Sequence, residues 1–456
     1  MQLFDYKQSS EIDRNKYMES FKITTGLTYF GGKSIIGKYL MNRIFNMAVK
    51  MDQDKNHADI FIDGFTGGGK IALSVPEGWF GTIVMNDYNY GVYSYFKCCK
   101  ECPTALYKMI ENLSKIVDET TFRYFTLNRS NFNGENSRDD IKREGKESEL
   151  EDLISNKDMD PLVSGAMTFL VTKLSYDGTT DPVNSFYKAS LGEDRSLSNE
   201  QEKIEKAVKA AAKTIPKVSK ILNENDIIIE HLDYKELIKK YNGKPYKDRK
   251  NEDHEAIKEY AYKNKLWYFD PPYHPATLAG GNNAPYEDTF TLSESQEMVK
   301  VLHNDYIDEY GELKYFIKSD YSIRYVIKQS KEELEYLNKL KNKGTLSEKN
   351  KKTVNDRIKG IKKAIDGLHD DGNGGKFKPS DCINDFNCLE ENMQYDDDNP
   401  NHYYKSSGVI EYYVECVGEF AKNGVDTDFE TGESLGTNKK GREYIWCRGN
   451  YIPENN

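Results

Sequence analysis

Apolar residues in the first hundred positions occur in short runs that end at acids and glycines. Residues 58–63 form one such run, and glycines at 67–69 follow it. The pattern predicts a strand there, then a helix that begins within these glycines and carries residues 71–73. A second strand is predicted at 81–85, before another acid, and a helical pattern extends from there to about position 115. Strand, glycine turn, helix and strand in this order predict the start of a doubly wound parallel sheet.

Residues 116–224 lose this alternation. They contain a charged stretch at 135–158, an apolar helix candidate at 162–174 and a helix rich in lysine and alanine at about 200–222. We therefore interpret residues 101–224 as a separate, mainly helical module inserted into the sheet.

The α/β pattern resumes near position 225. Apolar runs predict strands at 226–230, 265–269 and 313–318, and a helix is expected around 293–305. Near the end of the chain, the pattern again predicts strands, at 409–417 and 443–447. The predicted fold class is thus α/β, a Rossmann-like doubly wound sheet with two insertions.

The second insertion is rich in lysine. Residues 328–366 are predicted to form a helical pair broken near Gly344, with 12 basic and 6 acidic residues, and an acidic segment lies at 381–399. A solvated helical pair is the plainer interpretation, and contact with nucleic acid phosphates is the alternative. The same alternatives hold for the lysines of the earlier helix, at positions 203, 206, 209, 213, 217 and 220. The predicted division of the chain is 1–100, 101–224, 225–327, 328–400 and 401–456.

Composition and charge argue against several classes of protein. The 456 residues carry a formal charge of −11, which does not suggest a general polyanion binder, although local basic segments remain. No run of about 18 apolar residues occurs, so we expect no membrane-spanning helix. The first residues lack the apolar stretch of a secretory signal. Seven irregularly spaced cysteines fit a reducing cytoplasm better than a disulfide scaffold.

The most informative motif is Asp270-Pro271-Pro272-Tyr273, at the carboxyl end of a predicted strand. Open α/β sheets bind their ligands at that end. The acid and the two prolines supply acceptors without N–H donors, and the tyrosine supplies an aromatic face. This combination suits a planar substrate with an exocyclic amino group, whereas an ordinary turn is the plainer alternative.

A second motif, Asp63 to Gly69, follows the first strand. Glycines there let a ligand approach the backbone, and Asp87, after the next strand, has the spacing of an acid that binds ribose hydroxyls. The pair predicts a nucleoside cofactor, but the Gly-x-Gly-x-x-Gly spacing of NAD sites is absent. Residues 64–70 also resemble a phosphate-binding loop, except that Ile71 replaces the required Ser or Thr.

Neither the cysteines nor the histidines predict a metal site. Cys98, Cys99 and Cys102 include one Cys-x-x-Cys, but no second pair or histidine partner has zinc spacing. We interpret these cysteines as a buried, inert cluster.

Taken in order, these motifs resemble those of the DNA adenine-N6 methyltransferases of the Dam type. The matching segments are Tyr29-Phe30-Gly31-Gly32-Lys33, Asp63 to Gly69, Asn86-Asp87-Tyr88-Asn89 and Asp270 to Tyr273. Weaker matches are Asp233-Tyr234 and Lys318-Ser319-Asp320. The chain departs from the short members of that family by its length, by the 328–400 insertion and by three consecutive glycines at 67–69.

The resemblance implies S-adenosylmethionine as the methyl donor and a flipped adenine of double-stranded DNA as the acceptor. It also implies that residues 101–224 recognise the DNA target, in the cytoplasm of a bacterial or phage-infected cell. A separate restriction nuclease as partner and the oligomeric state are left open. The positions implied to bind the donor are Tyr29, Gly31, Gly32, Lys33, Asp63, Phe65, Gly67, Gly69, Asp87, Asp233 and Asp270. Those implied to act on the adenine are Asp270, Pro271, Pro272 and Tyr273.

Three rivals stay open. Cytosine N4 methylation usually goes with Ser in place of Asp270, and an RNA adenine could replace the DNA base. A member of a different class, a non-catalytic nucleic-acid-binding protein with a degenerate methyltransferase fold, would keep the pattern without the activity.

Overall fold

The computed structural model describes most of the α/β part of the chain and two sets of helices. The described residues are 24, 26–28, 36–128, 160–175, 199–242, 260, 262–272, 291–321, 323–342, 346–370, 376–378, 402–406, 409–421, 426–427, 434–436 and 440–448. Within these ranges, no helix has both the length and the apolar composition needed to cross a membrane.

An eight-stranded mixed sheet organises the described residues. Its parallel part is formed by the strands β1 (Ile60–Asp63), β2 (Thr82–Asn86), β3 (Ile228–Glu230), β4 (Lys265–Phe269) and β5 (Phe316–Tyr321). These strands lie in the order β3-β2-β1-β4-β5. The chain therefore winds outward in one direction from β1 to β3 and in the other from β4 to β5. The reversal between β1 and β4 is the topological switch point at which doubly wound sheets bind ligands.

The sheet continues beyond β5 with three antiparallel strands. In sheet order they are β12 (Lys440–Arg448), β9 (Val409–Ala421) and β8 (His402–Ser406). The predicted C-terminal strands are thus present, and they lengthen a mostly parallel sheet on one side. Two short strand pairs stand apart from this sheet, β6 (His369–Asp370) with β7 (Lys376–Phe377) and β10 (Asp426–Thr427) with β11 (Ser434–Gly436).

Helices surround the sheet. In chain order they are α1 (Gly37–Gln53), α2 (Tyr90–Glu101), α3 (Pro103–Ser114), α4 (Glu119–Asn128), α5 (Asp160–Leu174), α6 (Glu200–Ala212), α7 (Ile215–Glu224), α8 (Tyr234–Asn242), α9 (Leu292–Leu302), α10 (Ile307–Tyr310), α11 (Ile323–Asn342) and α12 (Glu348–Asp366). The predicted helix at 200–222 is divided in two, because Pro216 lacks the N–H that would continue the first helix and lies in the first turn of α7.

The described helices of residues 101–224, the predicted helical insertion, pack directly on the sheet. The described helices of this range and α2 share one hydrophobic cluster with the sheet residues Phe61, Met85 and Tyr268. Helix α5 is central, since Val163, Met167 and other side chains on all its sides are buried. A helix that is apolar all round belongs inside a core. Recognition of the DNA target by this range stays a prediction.

The opposite face of the sheet carries a second cluster. Side chains that alternate with those of the first cluster, such as Ile62, Trp267 and Phe269, pack there with residues of α8, α9, α11 and α12. The predicted lysine-rich helical pair is therefore present as α11 and α12, and its apolar stripe joins this second cluster.

The predicted helix after the glycine loop is absent. Only a 3₁₀ turn, Ala72–Ser74, follows the glycines. Val75 is extended (ψ 126°) because it precedes Pro76, which disfavours the helical conformation at the residue before it. An α-helix N-terminus that would favour an anion is thus missing at this loop.

Candidate active site at the carboxyl edge of the sheet

Two acids face each other across the switch point. Asp63 is the last residue of β1, and Asp270 follows the last residue of β4. The two strands are parallel and in register, with Asp63 beside Tyr268, and the Gly64 N–H donates to the Tyr268 carbonyl at 2.9 Å. This pairing places both acids at the same edge of the sheet.

Asp63 is almost completely buried, with 1% of its surface exposed. Its Oδ1 has no hydrogen-bond partner among the residues that the structure describes. Burial is the main reason that the pKa of Asp63 is raised to about 8, and the charges of Asp270 and Asp87 raise it further. Backbone N–H groups of Phe65 and Ala72 lower it in part. A buried carboxyl with an unused oxygen and two acidic neighbours would be stabilised by a cation.

Asp87 holds the glycine loop closed. Its Oδ2 accepts the Gly67 N–H at 2.7 Å, and its Oδ1 accepts the Asn89 N–H at 2.9 Å. The N–H groups of Thr66 and Gly69 donate to the carbonyls of Asn86 and Thr66. These N–H groups are therefore already used by the chain, whereas a phosphate-binding loop points such donors at its ligand.

Gly69 shows why the loop needs glycine. Its φ of +75° is a conformation that side chains rarely adopt, and an added Cβ would lie 2.6 Å from Phe96 Cζ. The carbonyl of the preceding Gly68 accepts the N–H groups of Gly26 and Leu27, both at 3.1 Å. The loop is thus packed tightly against α2 and the segment that precedes the first motif.

Asn86 is a positioning residue whose role the motif alone does not reveal. Its amide donates to the carbonyls of Gly64 (3.1 Å) and Leu232 (3.0 Å), and its Oδ1 accepts the Leu232 N–H at 3.0 Å. One buried side chain therefore ties together the loops that follow β1, β2 and β3. An asparagine at a strand end beside an acid is the sequence signal, but its partner lies 146 residues away.

Asp233 follows directly after this junction. Its Oδ1 accepts the N–H of Lys235 at 2.9 Å, at the start of α8. Phe65 lies between this region and β4, with its ring centroid 6.3 Å from that of Tyr234 and 6.4 Å from that of Phe269. The predicted donor residues Asp63, Phe65, Gly67, Gly69, Asp87 and Asp233 thus belong to neighbouring loops at one edge.

The Asp-Pro-Pro turn begins where β4 ends. Asp270 and Pro272 are partly exposed, and Pro271 is buried. The two prolines contribute carbonyl oxygens and no N–H. Behind the turn, the Tyr268 hydroxyl and Ser319 Oγ lie 3.1 Å apart and join β4 to β5. The predicted site residues Tyr29, Gly31, Gly32, Lys33 and Tyr273 lie outside the described residues.

The cysteine cluster lies away from this edge. Cys98 and Cys99 are buried free thiols on α2, and burial raises the pKa of both thiols well above its usual value. This agrees with the interpretation as inert packing residues. In the described ranges, no group of three or more His, Cys, Asp or Glu side chains is arranged to hold a metal ion.

Comparison with protein families finds a match over part of the chain. Residues 29–158 match the family model of the D12 class N6 adenine-specific DNA methyltransferases. The match confirms the resemblance to adenine methyltransferases of the Dam type. The members of the matched family are enzymes. It covers the glycine loop and Asp87 and ends before Asp270. No curated protein sequence matches the chain.

Proposed function

We propose that this protein transfers a methyl group from S-adenosylmethionine to N6 of a flipped adenine in double-stranded DNA. The observation that carries the proposal is the pair of acids at the switch point. Asp63 keeps a buried oxygen without a partner among the described residues, and Asp270 opens a turn in which two prolines supply carbonyl oxygens without N–H groups. A cationic donor beside an amino-bearing base is the combination that such a pair of acceptors fits.

The residues present fit S-adenosylmethionine better than a phosphate-bearing cofactor. The donor carries two positive centres, an ammonium and a sulfonium, and three acids, Asp63, Asp87 and Asp270, interact electrostatically here. NAD or ATP would instead require free N–H donors, whereas Thr66, Gly67 and Gly69 use theirs within the chain. When bound, S-adenosylmethionine supplies an electrophilic methyl group.

Asp87 is the residue we assign to the ribose hydroxyls. Each of its carboxylate oxygens accepts one backbone N–H, which fixes the orientation of the carboxylate and leaves further lone pairs for a ligand. Asp233, held by the Lys235 N–H, is assigned to the donor's adenine by the family resemblance. The same resemblance assigns Tyr29, Gly31, Gly32 and Lys33 to the donor.

Asp270 and Pro271 are assigned to the reacting amino group. The Asp270 carboxylate and the Pro271 carbonyl accept one N6 hydrogen each, which draws the nitrogen lone pair out of the ring and towards the methyl group. The donor, when bound, would supply the methyl group to this nitrogen, and Asp270 would accept the proton that the nitrogen then loses. Tyr273 stacks on the flipped base, offsetting part of the few kcal/mol that unstacking costs. Positioning and electrostatics supply the rate acceleration.

The test is to incubate the full chain with mixed-sequence DNA and S-adenosylmethionine labelled in the methyl group, then to digest the DNA and identify the labelled nucleoside. Label in N6-methyladenosine supports the proposal. Label in N4-methylcytosine would keep the fold and overturn the base assignment. Unlabelled DNA would contradict the proposed substrate, and absence of donor binding by calorimetry would favour a non-catalytic nucleic-acid-binding protein.

A further inference from the structure

The helical pair α11–α12 is attached to the edge that carries the candidate site. Strand β5 is parallel to β4, with Phe269 beside Lys318, so the carboxyl ends of both strands lie at the same edge. Helix α11 begins at Ile323, two residues after β5 ends at Tyr321. Its 20 residues span about 30 Å, the length of roughly nine base pairs of B-DNA.

The pair is rigid and has a defined inner face. Arg357 of α12 donates through Nε and Nη2 to the two carboxylate oxygens of Glu333 of α11, at 2.6 and 2.9 Å. Four apolar residues of α12, spaced three and four apart, are buried in the second cluster: Val354, Ile358, Ile361 and Ile365. This spacing fixes one face of α12 inward and the opposite face outward.

The outward face of α12 is basic. The helix contains seven basic and three acidic residues. The lysines that are exposed and form no ion pair with any described residue are Lys349, Lys352, Lys359 and Lys362. Of the acids, Glu348 pairs with Lys351 at 2.6 Å. Uncompensated lysines along one rigid face are a surface suited to phosphates, in a chain whose formal charge is −11.

The other lysine-rich helices differ in this respect. Helix α6 contains three basic and three acidic residues. Lys209 of α6 lies 3.8 Å from Glu111, and Lys220 of α7 lies 3.7 Å from Glu224. Lys209 and Lys220 therefore have acidic partners nearby, as on a solvated face.

Gly360 adds a second, independent observation. It lies in the interior of α12 between Lys359 and Ile361, it is exposed, and an added Cβ would meet nothing within 4 Å. Glycine in a helix interior costs about 1 kcal/mol relative to alanine. No neighbour in the described structure accounts for that cost, whereas close approach of a partner's backbone would.

We infer that the outward face of α12 binds the phosphate backbone of DNA, with the closest approach at Gly360. The inference rests on the proposed DNA substrate and adds a contact surface outside the site at the sheet edge. The phosphates would run along Lys352 and Lys359, which lie on either side of Asp356 on this face.

The test compares two double variants of the full chain that remove equal charge. One is Lys352→Gln with Lys359→Gln. The matched control is Lys55→Gln with Lys314→Gln, two exposed lysines that precede β1 and β5 and so lie at the opposite, amino edge of the sheet. Affinity for a labelled mixed-sequence duplex is measured by anisotropy between about 50 and 200 mM salt. Affinity for the duplex falls as salt rises, and each phosphate contact contributes to this fall. If two contacts are lost, the affinity of the α12 variant should fall about 12-fold less than that of wild type between the two salt concentrations. The control should keep the wild-type salt dependence.

Gly360→Ala separates close approach from charge alone. Helix propensity predicts that this variant melts about 1 °C higher than wild type, whereas the inference predicts that it binds the duplex several-fold more weakly. Unchanged affinity of Gly360→Ala together with an unchanged salt dependence of the lysine variant would overturn the inference alone. Failure of the wild-type protein to bind DNA at all would overturn the proposed function as well.

Discussion

The two sides of the switch point use their hydrogen-bonding groups in opposite ways. On the side of β1 and β2, the N–H groups of Thr66, Gly67 and Gly69 all donate to acceptors within the chain. On the side of β4, the turn after Phe269 contains two prolines, which have no N–H to donate.

Both sides therefore present acceptors to a ligand. On the first side three N–H groups are already bonded within the chain, and on the second side the two prolines have none. A site with this balance selects against phosphates and favours cations and amino groups, which are the chemical groups of a methyl donor and of adenine N6. A glycine-rich loop after the first strand of such a sheet therefore need not be a phosphate-binding loop.

The largest effect is expected at the β4 side. Asp270→Asn replaces an acceptor oxygen by an N–H₂ group that points a donor at the substrate's amino group. The rate of methyl transfer should fall by about 10²- to 10³-fold, the usual cost of removing one preorganised electrostatic group. The measurement is single-turnover transfer of labelled methyl to DNA.

Asp226→Asn is the matched control, because the Asp226 side chain is 95% exposed and pairs with Lys100 on the surface. It should keep the wild-type rate. A folded Asp270→Asn variant with undiminished transfer would remove Asp270 from the mechanism.

The next effect concerns the packing of the loop on the β1 side. Gly69→Ala adds a Cβ at 2.6 Å from Phe96 Cζ to a residue with φ +75°. Strain and overpacking together should lower the free energy of unfolding by about 2–4 kcal/mol. Gly78→Ala has a similar φ of +80° but open space, so only about 1 kcal/mol is expected there. Urea unfolding measures both, and equal losses would contradict the packing argument.

A smaller effect is expected when the Asp87 carboxylate, which holds the glycine loop, is removed. Asp87→Ala leaves the N–H groups of Gly67 and Asn89 without their acceptor. The dissociation constant of S-adenosylmethionine should rise about tenfold or more, since one hydrogen bond to a charged group contributes roughly 1.5–3 kcal/mol. Calorimetric titration measures it. Asn89→Ala, which removes the side-chain cap of α2, should change stability by about 1 kcal/mol and leave donor affinity nearly intact.

The smallest effect, counted per pH unit, is expected on the free energy of unfolding. Asp63 has a folded-state pKa of about 8 and an ordinary value of 3.8, so the folded protein holds a proton that the unfolded chain releases. The stability of the ligand-free protein is therefore greatest below pH 3.8 with respect to this group and declines as pH rises towards 8. The slope is at most about 1.4 kcal/mol per pH unit. Asp63→Asn should flatten this part of the profile, and an unchanged slope would refute the assignment.

The strand ends were the most predictable part of the molecule. The strand at 265–269 was predicted with the bounds that the structure shows, and the acids that follow β1, β2 and β4 were assigned to one edge. Short apolar runs that end at an acid or a glycine carry this information locally, because parallel strands align their carboxyl ends.

Long-range partners account for what the sequence did not predict. Nothing near Gly67 indicates that its N–H donates to Asp87, 20 residues away. From the sequence alone the glycine loop therefore resembles a phosphate-binding loop, although this donor is already used. The helix expected at 71–73 does not form, because Pro76 ends the 3₁₀ turn after three residues. The apolar pattern of α5 predicted a buried helix but could not show that it shares its core with the sheet.

The central claim is that this acceptor-rich edge binds a cationic methyl donor. The most direct test is calorimetric titration of the ligand-free protein with S-adenosylmethionine at pH 7, repeated in buffers of different ionisation enthalpy. If a cation satisfies Asp63, binding should release close to one proton, because a group with a pKa of about 8 is mostly protonated at this pH. Asp63→Asn should bind more weakly and release none. Binding without proton release in the wild-type protein, or no binding, would contradict the account.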